Sequence, residues 1–402
     1  MTSPRELVIS DAAGLSACWA HLSQCERVGL DTEFVGEDTY HPRLCLLQIA
    51  TPDTLYLIDP FAFSDEELRP VWTLLAEPAR VVVLHAGREE IRLCHRSVGR
   101  GLGSPFDLQI AAGLVGMTYP LGYGALVGEV LGERLAKGET LTEWRTRPLT
   151  AAQVRYAFDD VRLLLPLWTK LHSRLQELNR LDWAQEEFTR MTLLSTPEEP
   201  GQPSATEKWR KLRGAGSLDR RRLAILRALH RWREEEATRV NRPPRTVVRD
   251  DLLVEMARRH LKSVNDLRTV RGLAHRYAGS LWNAIEEARG LAADQLPTPA
   301  EREQDPVQVG LIANVVGAAL VDFCNRQQVA PNLAATGQDI KLLVRAKFEG
   351  EPMPEKSALT RGWRAEHILP HVQAILDGRR SLAIADVRSE TPFRYQDDGK
   401  SP

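Results

Sequence analysis

The stretch VGLDTEFV, at residues 28–35, is an apolar run that carries two acids two residues apart. Its β-branched and large apolar residues predict a strand, and alternation along a strand places Asp31 and Glu33 on one face. Two buried carboxylates side by side are costly unless a cation neutralises them, so the pattern indicates a hard divalent metal with oxygen ligands. The alternative is an edge strand with a solvated acidic face, against which Leu30 and Phe34 argue.

Short apolar runs and helical periodicity alternate around this strand. Further strands are predicted at 44–50, 54–58 and 81–85. Apolar residues spaced three and four apart predict helices at 65–75, 87–97, 107–115 and 150–171. Closely spaced strands followed mostly by helices indicate a mixed sheet covered by helices, which belongs to the α/β class.

The length of 402 residues predicts two or three domains, each able to bury a core. Two stretches without periodicity, STPEEPGQPS at 195–204 and LPTPAEREQDP at 296–306, are interpreted as linkers. The predicted domains therefore span residues 1–194, 208–295 and 307–385. The second and third show almost no strand signal and are expected to be all-α, and a polar tail is expected after residue 385.

Charge is divided unevenly along the chain. Residues 1–170 hold 16 Lys and Arg against 22 Asp and Glu, a net charge of −6, whereas residues 208–289 hold 21 against 10, a net charge of +11. This division is expected when one domain concentrates carboxylates and another holds a polyanion. The alternative interpretation of the basic part is a solvated helix face.

Several classes of protein are disfavoured by composition. The five cysteines show no paired spacing, so neither a disulfide framework nor a zinc site is predicted, and buried thiols are expected. The longest apolar candidate, residues 311–321, is shorter than the roughly 18 residues that a membrane helix needs. The first residues, MTSPRELVIS, lack the apolar core of a secretory signal, so a cytoplasmic protein without membrane contact is expected.

Two further motifs carry acids. Tyr156 and Asp160 are four residues apart in a predicted helix and share a face, whereas Asp159 is the alternative ligand and is expected to point elsewhere. By itself, a Tyr and an Asp at this spacing usually mean a half-buried ring beside a surface acid. At HAGREE, residues 85–90, a strand ends, Gly87 permits a turn and a helix begins, so acids there would ordinarily only compensate the helix dipole.

Together these motifs resemble the DEDD superfamily of 3′–5′ exonucleases, and the similarity is closest to the ribonuclease D family. The resemblance covers residues 5–190 and implies a mixed-sheet, RNase H-like exonuclease domain. The motifs that carry it, in the family's order, are GLDTEF at 29–34, YHPRLCLLQI at 40–49, LIDP at 57–60, FDLQ at 106–109, EWR at 143–145, RPLT at 147–150 and YAFDDV at 156–161.

Position by position, the resemblance assigns Asp31 and Glu33 to the first two acids, Asp160 to the last, and Tyr156 to the tyrosine of the "y" subclass. Glu90 stands where the best-known members have Asp. One added methylene lets Glu90 reach the same metal directly or through water, so retained activity with an altered metal preference is expected; the alternative is reduced activity. Asp107 matches a downstream Asp of the family, to which a supporting role is assigned.

The resemblance also implies a mechanism. Two Mg²⁺ or Mn²⁺ ions about 3.5 to 4 Å apart would cleave the phosphodiester. Asp31 would bridge both ions, Glu33 and Asp160 would hold the ion that activates water, and Glu90 would serve the ion that stabilises the leaving 3′ oxygen. Tyr156 would orient the water and is a poor general base, because an ordinary phenol has a pKa of about 10. Nucleoside 5′-monophosphates would leave one at a time from the 3′ end.

The basic part resembles the HRDC domain, a small helical bundle that contacts nucleic acid, on LAILRALHRWR at 223–233 and RGLAHRYAG at 271–279. LTRGWRAE, at 359–366, looks like the end of a second, degenerate HRDC-like unit. The fold class is therefore α/β, with an exonuclease domain followed by two all-α HRDC-like domains. Core packing is the expected role of most of the aromatic residues in the basic domain, namely Trp209, Trp232, Tyr277 and Trp282. A structural role is expected of two histidines, His85 and His275.

The function that these resemblances imply is a metal-dependent exoribonuclease that trims 3′ ends of structured RNA, including tRNA precursors. Its expected partner is RNA with a free 3′ end, and a monomer is expected. Two alternatives stay open at this point. One is a DNA-directed 3′–5′ exonuclease, and the other is a non-catalytic RNA-binding protein with a decayed nuclease fold, which the Glu90 substitution favours.

Overall fold

The computed structural model describes residues 4–135, 143–196, 207–299 and 305–397. These residues form two compact units. The first contains residues 4–33, 44–196 and 305–397, and the second joins Phe34–Arg43 to residues 207–299. Residues 197–204 of the first predicted linker and 300–304 of the second lie outside the described residues, and the domain boundaries drawn from the sequence stay a prediction.

The first unit is built on a six-stranded mixed sheet in the order β1-β4-β3-β2-β5-β6. Three neighbouring pairs, β1 with β4, β2 with β5 and β5 with β6, are parallel, whereas β3 and β4 are antiparallel. The strand with the two acids is thus central, and the edge-strand alternative is wrong. The strands are β1 (Arg5–Ile9), β2 (Arg27–Val35), β3 (Arg43–Ala50), β4 (Thr54–Ile58), β5 (Val81–Leu84) and β6 (Ser104–Asp107).

Eight helices accompany this sheet in the described part of residues 4–196. Ser64 and Glu67 form a capping box at the start of the second helix, and Thr150 and Gln153 do the same for the sixth. The helix predicted at 150–171 is two helices, because Pro166 has no N–H to donate to the carbonyl of Arg162. The helices are α1 (Ala12–Leu22), α2 (Asp65–Leu75), α3 (Arg88–Val98), α4 (Leu108–Leu114), α5 (Tyr123–Leu131), α6 (Ala151–Arg162), α7 (Leu164–Glu177) and α8 (Leu181–Ser195).

The second unit is helical, as predicted for the basic part. Trp209 and Tyr277 are buried in its core, and Trp232 and Trp282 pack against that core from partly buried positions. The expected packing role of these four aromatic side chains is confirmed. The helices of this unit are α9 (Arg220–Arg239), α10 (Pro244–Val247), α11 (Asp250–Arg258), α12 (Val264–Arg268) and α13 (Ala278–Arg289).

The last described segment, residues 305–397, is helical up to residue 376 and then forms a hairpin of β7 (Arg380–Ile384) and β8 (Phe393–Asp397). The polar residues expected after residue 385 include β8, which pairs with β7 along its length, so part of the polar tail forms a strand. The helices of the segment are α14 (Val307–Arg326), α15 (Pro331–Ala334), α16 (Gly337–Glu349), α17 (Gly362–His367) and α18 (Leu369–Leu376).

Helix α14 is longer than the apolar stretch that the sequence suggested. Its 20 residues, with a mean hydropathy of 1.8 in the most apolar window, are long and apolar enough to cross a bilayer. One such helix is weak evidence, because core helices of soluble proteins have the same properties. It also carries the buried Asp322, which pairs with Arg326 at 2.8 Å between Oδ2 and Nε.

The five cysteines are all thiols in the structure, and all of them except Cys25 are buried. The prediction that they form no disulfide framework is confirmed. Burial raises the pKa of the Cys18, Cys94 and Cys324 thiols to about 12, so these side chains stay protonated and pack as small apolar groups.

Candidate active site

Three elements bring the predicted site residues into one region. Asp31 and Glu33 come from the central strand β2, Glu90 from the first turn of α3, and Tyr156 and Asp160 from α6. Burial raises the pKa of Asp31 well above its usual range, and the charges of Glu90, Asp160 and Glu33 raise it further. The four carboxylates are therefore within electrostatic reach of one another.

The other three carboxylates respond in the same way. Burial, followed by the charges of Asp160 and Glu90, raises the pKa of Glu33 to about 8. Burial and the neighbouring Asp159 raise the pKa of Asp160 to about 7, and burial raises the pKa of Glu90 to about 6. Among the described residues, no cationic side chain is a leading cause of these shifts, so the described part of the protein supplies no counter-charge that would keep the four acids ionised.

Glu90 is held by Thr32. The Thr32 hydroxyl donates to Glu90 Oε1 at 2.6 Å, and both residues are only 6% exposed. In the described part of the chain, no three His, Cys, Asp or Glu side chains are arranged so that they could already hold a metal ion. The acids thus lie near one another without forming a closed chelate, and one oxygen of Glu90 is engaged by a neighbour on β2.

Asp160 and its neighbour Asp159 have different partners. Asp159 Oδ1 pairs with Arg162 Nε at 3.2 Å, whereas no residue that the structure describes forms a hydrogen bond with the buried Oδ2 of Asp160. A buried carboxylate oxygen without a partner is rare and calls for an ion or a donor. Because the four acids offer only oxygen ligands, the residues present fit a hard divalent cation such as Mg²⁺ or Mn²⁺.

Tyr156 contacts the same cluster. Burial and the charges of Asp160, Glu33 and Asp31 raise the pKa of its phenol, which hydrogen-bonds to Asp160. The phenol is therefore neutral and acts as a hydrogen-bond donor. Its ring lies 6.0 Å from the buried Trp144, measured between centroids.

Arg147 holds the segment that carries Trp144. Arg147 Nε and Nη2 donate to the two oxygens of Asp59 at 2.5 and 2.8 Å, and Nη1 donates to the carbonyl of Trp144 at 2.8 Å. Arg147 Nη2 also donates to the carbonyl of Cys45 at 2.7 Å, in β3. The motif residues around 143–150 therefore support the ring beside Tyr156.

Asp107 fixes the turn from which α3 starts. Its Oδ2 accepts the N–H of Gly87 at 2.9 Å, and its Oδ1 accepts the N–H groups of Gln109 and Ile110 at 2.9 and 3.1 Å. Gly87 is required there, because a Cβ at this position would lie 2.7 Å from the Cβ of Leu84. Asp107 thereby positions the first turn that carries Glu90.

The two histidines differ in environment. His85 Nε2 lies 2.9 Å from the carbonyl oxygen of Leu121, and burial lowers the pKa of the imidazole, which fits the structural role expected of it. His275 is exposed in a short turn. Sequence reasoning missed the contributions of Thr32 and Trp144, although both lie inside quoted motifs. The signal for Thr32 was its hydroxyl between two acids, on the opposite face of the strand.

Part of the positive charge in the second unit is used inside that unit. Arg220 Nη2 donates to the carbonyls of Ala293 and Leu296 at 3.0 and 3.2 Å, and Arg227 Nη2 donates to that of Gln295 at 3.2 Å. These arginines tie the end of the unit to α9. The charge of +11 therefore overstates the number of cations available to a polyanion.

Comparison with known proteins gives matches to both parts of the chain. A family model described as 3′–5′ exonuclease matches residues 7–176, and the model of the HRDC domain matches residues 222–285. The ribonuclease D of Gluconacetobacter diazotrophicus is 32% identical over 390 residues, which cover 96% of each chain. That of Granulibacter bethesdensis is 33% identical over 387 residues, which cover 95% of each chain.

Solved structures resemble the chain over nearly its whole length. The crystal structure of Escherichia coli RNase D, described as an exoribonuclease involved in structured RNA processing, superposes with a TM-score of 0.79 at 28% identity. The match covers 93% of this chain and 99% of that one. The catalytic core of RRP6 from Trypanosoma brucei shares the fold, with a TM-score of 0.56 at 22% identity. That match covers 72% of this chain and 83% of that one.

Proposed function

The chain belongs to the ribonuclease D family and is a 3′–5′ exoribonuclease, and from that premise we propose which residues form its catalytic site: Asp31, Glu33, Glu90, Tyr156 and Asp160. The observation that carries this proposal is the rise of the pKa of Asp31 through burial and the charges of Glu90, Asp160 and Glu33, together with the buried oxygen of Asp160 to which no described residue donates. Perturbed titratable groups of this kind cluster at functional sites.

Exonucleases of the DEDD type generally depend on divalent metal, and we propose that this chain takes two Mg²⁺ or Mn²⁺ ions. When bound, these ions supply an acidified water and charge stabilisation for the leaving 3′ oxygen. Asp31 would contribute to both positions, Glu33 and Asp160 to the water side, and Glu90 to the leaving-group side. The Glu90 carboxylate retains Oε2 for this purpose while its Oε1 accepts the Thr32 hydroxyl.

Tyr156 is proposed to orient the attacking water rather than to take its proton. Its pKa is raised by burial and by the neighbouring carboxylates, so the phenol holds its proton at neutral pH. A neutral phenol can donate one hydrogen bond and accept another. The bond to Asp160 and the contact with Trp144 restrict the ring to one side of the cluster.

The proposed substrate is structured RNA with a free 3′ end, including tRNA precursors. The E. coli relative is described as acting in structured RNA processing, and the HRDC domain of this chain retains a net positive charge that suits phosphate binding. A monomer acting in the cytoplasm is proposed with it.

The test is incubation of the purified protein with matched RNA and DNA oligonucleotides, each with a free or a blocked 3′ terminus, with and without Mn²⁺. The expected result is stepwise release of 5′-mononucleotides from unblocked RNA only, and only with metal. Equal digestion of DNA would favour a DNA-directed enzyme, and digestion of blocked RNA would contradict the 3′–5′ polarity.

A further inference from the structure

A pocket of about 680 Å³ lies in the first unit between α8 and the segments on either side of α16. Gln185, Thr189 and Arg190 line it from α8, and Lys356 and Arg361 line it from the opposite side. None of the five proposed catalytic residues lines the pocket. Its volume falls within the range of about 300 to 1,000 Å³ that is typical of small-molecule sites. The pocket is therefore distinct from the candidate active site.

The cations of this pocket differ in their partners. Arg190 Nη2 pairs with Glu187 Oε2 at 2.8 Å. Lys356 and Arg361 are exposed, and their side chains make no ion pair or hydrogen bond to any residue that the structure describes. Two positive charges without protein partners thus line the same opening.

The two carboxylates that line the pocket are already bound by backbone N–H groups. Glu186 Oε2 accepts the N–H of Trp363 at 3.1 Å. Asp339 accepts the N–H of Thr336 at 2.8 Å with one oxygen and that of Ala358 at 2.7 Å with the other. These two carboxylates keep their negative charge, but they are outnumbered in the lining by four cations, Arg190, Lys356, Arg361 and Arg364. The positive charge of Lys356 and Arg361 is therefore left for a ligand.

From these observations we infer that the pocket binds a phosphate group, either of the RNA chain or of a free nucleotide. A guanidinium and an ammonium are the side chains best suited to phosphate oxygens. Gln185 and Asn332 add amide groups able to donate further hydrogen bonds. The RNA source rests on the proposed function, whereas the anion chemistry of the pocket does not depend on the acids of the active site.

The test uses the full chain carrying Asp31→Asn, in EDTA, so that RNA is not digested. Binding of a labelled single-stranded RNA is measured by anisotropy at several salt concentrations, and binding of 5′-AMP is measured by calorimetry. The double variant Lys356→Ala/Arg361→Ala is compared with Lys341→Ala, which removes an exposed cation of α16 that does not line the pocket. Thermal unfolding confirms that each variant is folded.

The double variant is expected to weaken the binding of RNA on the order of tenfold and to reduce its salt slope by about 0.7, the contribution of one neutralised phosphate of a single strand. Loss of RNA binding alone identifies the RNA chain as the source, and loss of 5′-AMP binding identifies a free nucleotide. Both results support the pocket. Binding of both ligands equal to that of the Lys341→Ala control overturns it, whereas digestion of RNA by the Asp31→Asn protein with Mn²⁺ would contradict only the catalytic proposal.

Discussion

Acidic side chains at two places in the first unit have pKa values shifted in opposite directions. Glu187 on α8 is 1% exposed, and although burial raises its pKa, the hydrogen bond and charge of Arg364 lower it below the usual range. Asp31 has no such partner; burial and three neighbouring acids all raise its pKa. A counter-charge therefore decides the state of a buried carboxylate. Glu187 receives it from Arg364, whereas the described residues give none to the acid cluster, where we propose that the metal ions bind.

The largest expected effect is on catalysis, at the cluster without a cation. Asp31→Asn should lower the rate of RNA digestion by more than about 100-fold. Mutation of a residue that only hydrogen-bonds to a metal ligand already lowers activity by about 10- to 100-fold, and Asp31 is proposed as a ligand itself. Removing one of four like charges should leave the melting temperature of the metal-free protein unchanged or raised. Digestion kinetics with Mn²⁺ and thermal unfolding in EDTA measure both. A variant that stays active, or that melts earlier, would break the comparison.

The second prediction concerns the cluster that carries its own cation. Glu187→Gln leaves Arg364, which is 3% exposed, without its negative partner and should lower the free energy of unfolding by about 3 to 5 kcal/mol. The matched control is Glu177→Gln, in an exposed pair with Arg174, which should cost at most about 1 kcal/mol. Urea unfolding of both variants provides the measurement. Equal costs would mean that the buried pair is no more coupled than a surface one.

The third prediction concerns the bond between Thr32 and Glu90. Thr32→Val removes the hydroxyl that holds Glu90 and should weaken Mn²⁺ binding about tenfold, as the loss of an outer partner of a metal ligand does. Glu90→Asp should stay active, and its shorter side chain should lose the bond to Thr32. Calorimetric titration of the two single variants and the double variant forms a cycle. Additive effects would show that the bond to Thr32 does not position Glu90 for the metal, and complete inactivity of Glu90→Asp would mean that Glu90 does not fill the family's Asp position.

The smallest expected effect is on the pH dependence of stability, through a buried histidine that lies beside an arginine. His371 is 4% exposed, and burial and the charge of Arg380 lower its pKa to about 4. The charge of Arg326 also lowers this pKa, whereas those of Asp322 and Asp397 raise it. Since the folded pKa lies below the unfolded one, the contribution to stability is present above about pH 6.5 and is lost as pH falls towards 4. His371→Gln should flatten the dependence of melting temperature on pH within this window. An unchanged dependence would contradict the assignment.

Much of the site could be predicted from sequence because its residues lie in continuous motifs. The strand predicted at 28–35 is β2, which begins one residue earlier, and the helix predicted at 65–75 is α2. Alternation in β2 and helical spacing in α6 are local properties, so they are visible in the sequence. The pair of Glu187 and Arg364 could not be predicted, since its members are 177 residues apart and each follows an ordinary helical pattern.

The missed strands have local physical reasons. β1 is a short edge strand with four of its five residues exposed, and β6 contains Pro105, which usually argues against a strand. Pro105 is tolerated because β6 is also at an edge, with only β5 beside it. The hairpin of β7 and β8 has no strongly apolar face, so its strands give a weak sequence signal, and it is fixed by its own pairing and by bonds to α14 such as that from Tyr395 to Asp322, at 2.9 Å.

The two edges of the sheet also bear on how the protein would aggregate. Pro105 gives β6 no N–H at one position, so this border is a poor template for a strand from another molecule. β1 presents Leu7 and Val8, which are 40% and 53% exposed, and is protected mainly by the charged Arg5 and Glu6. Glu6 pairs with Arg162 at 2.6 Å. Under heat or high salt, intermolecular strand pairing should therefore begin at β1.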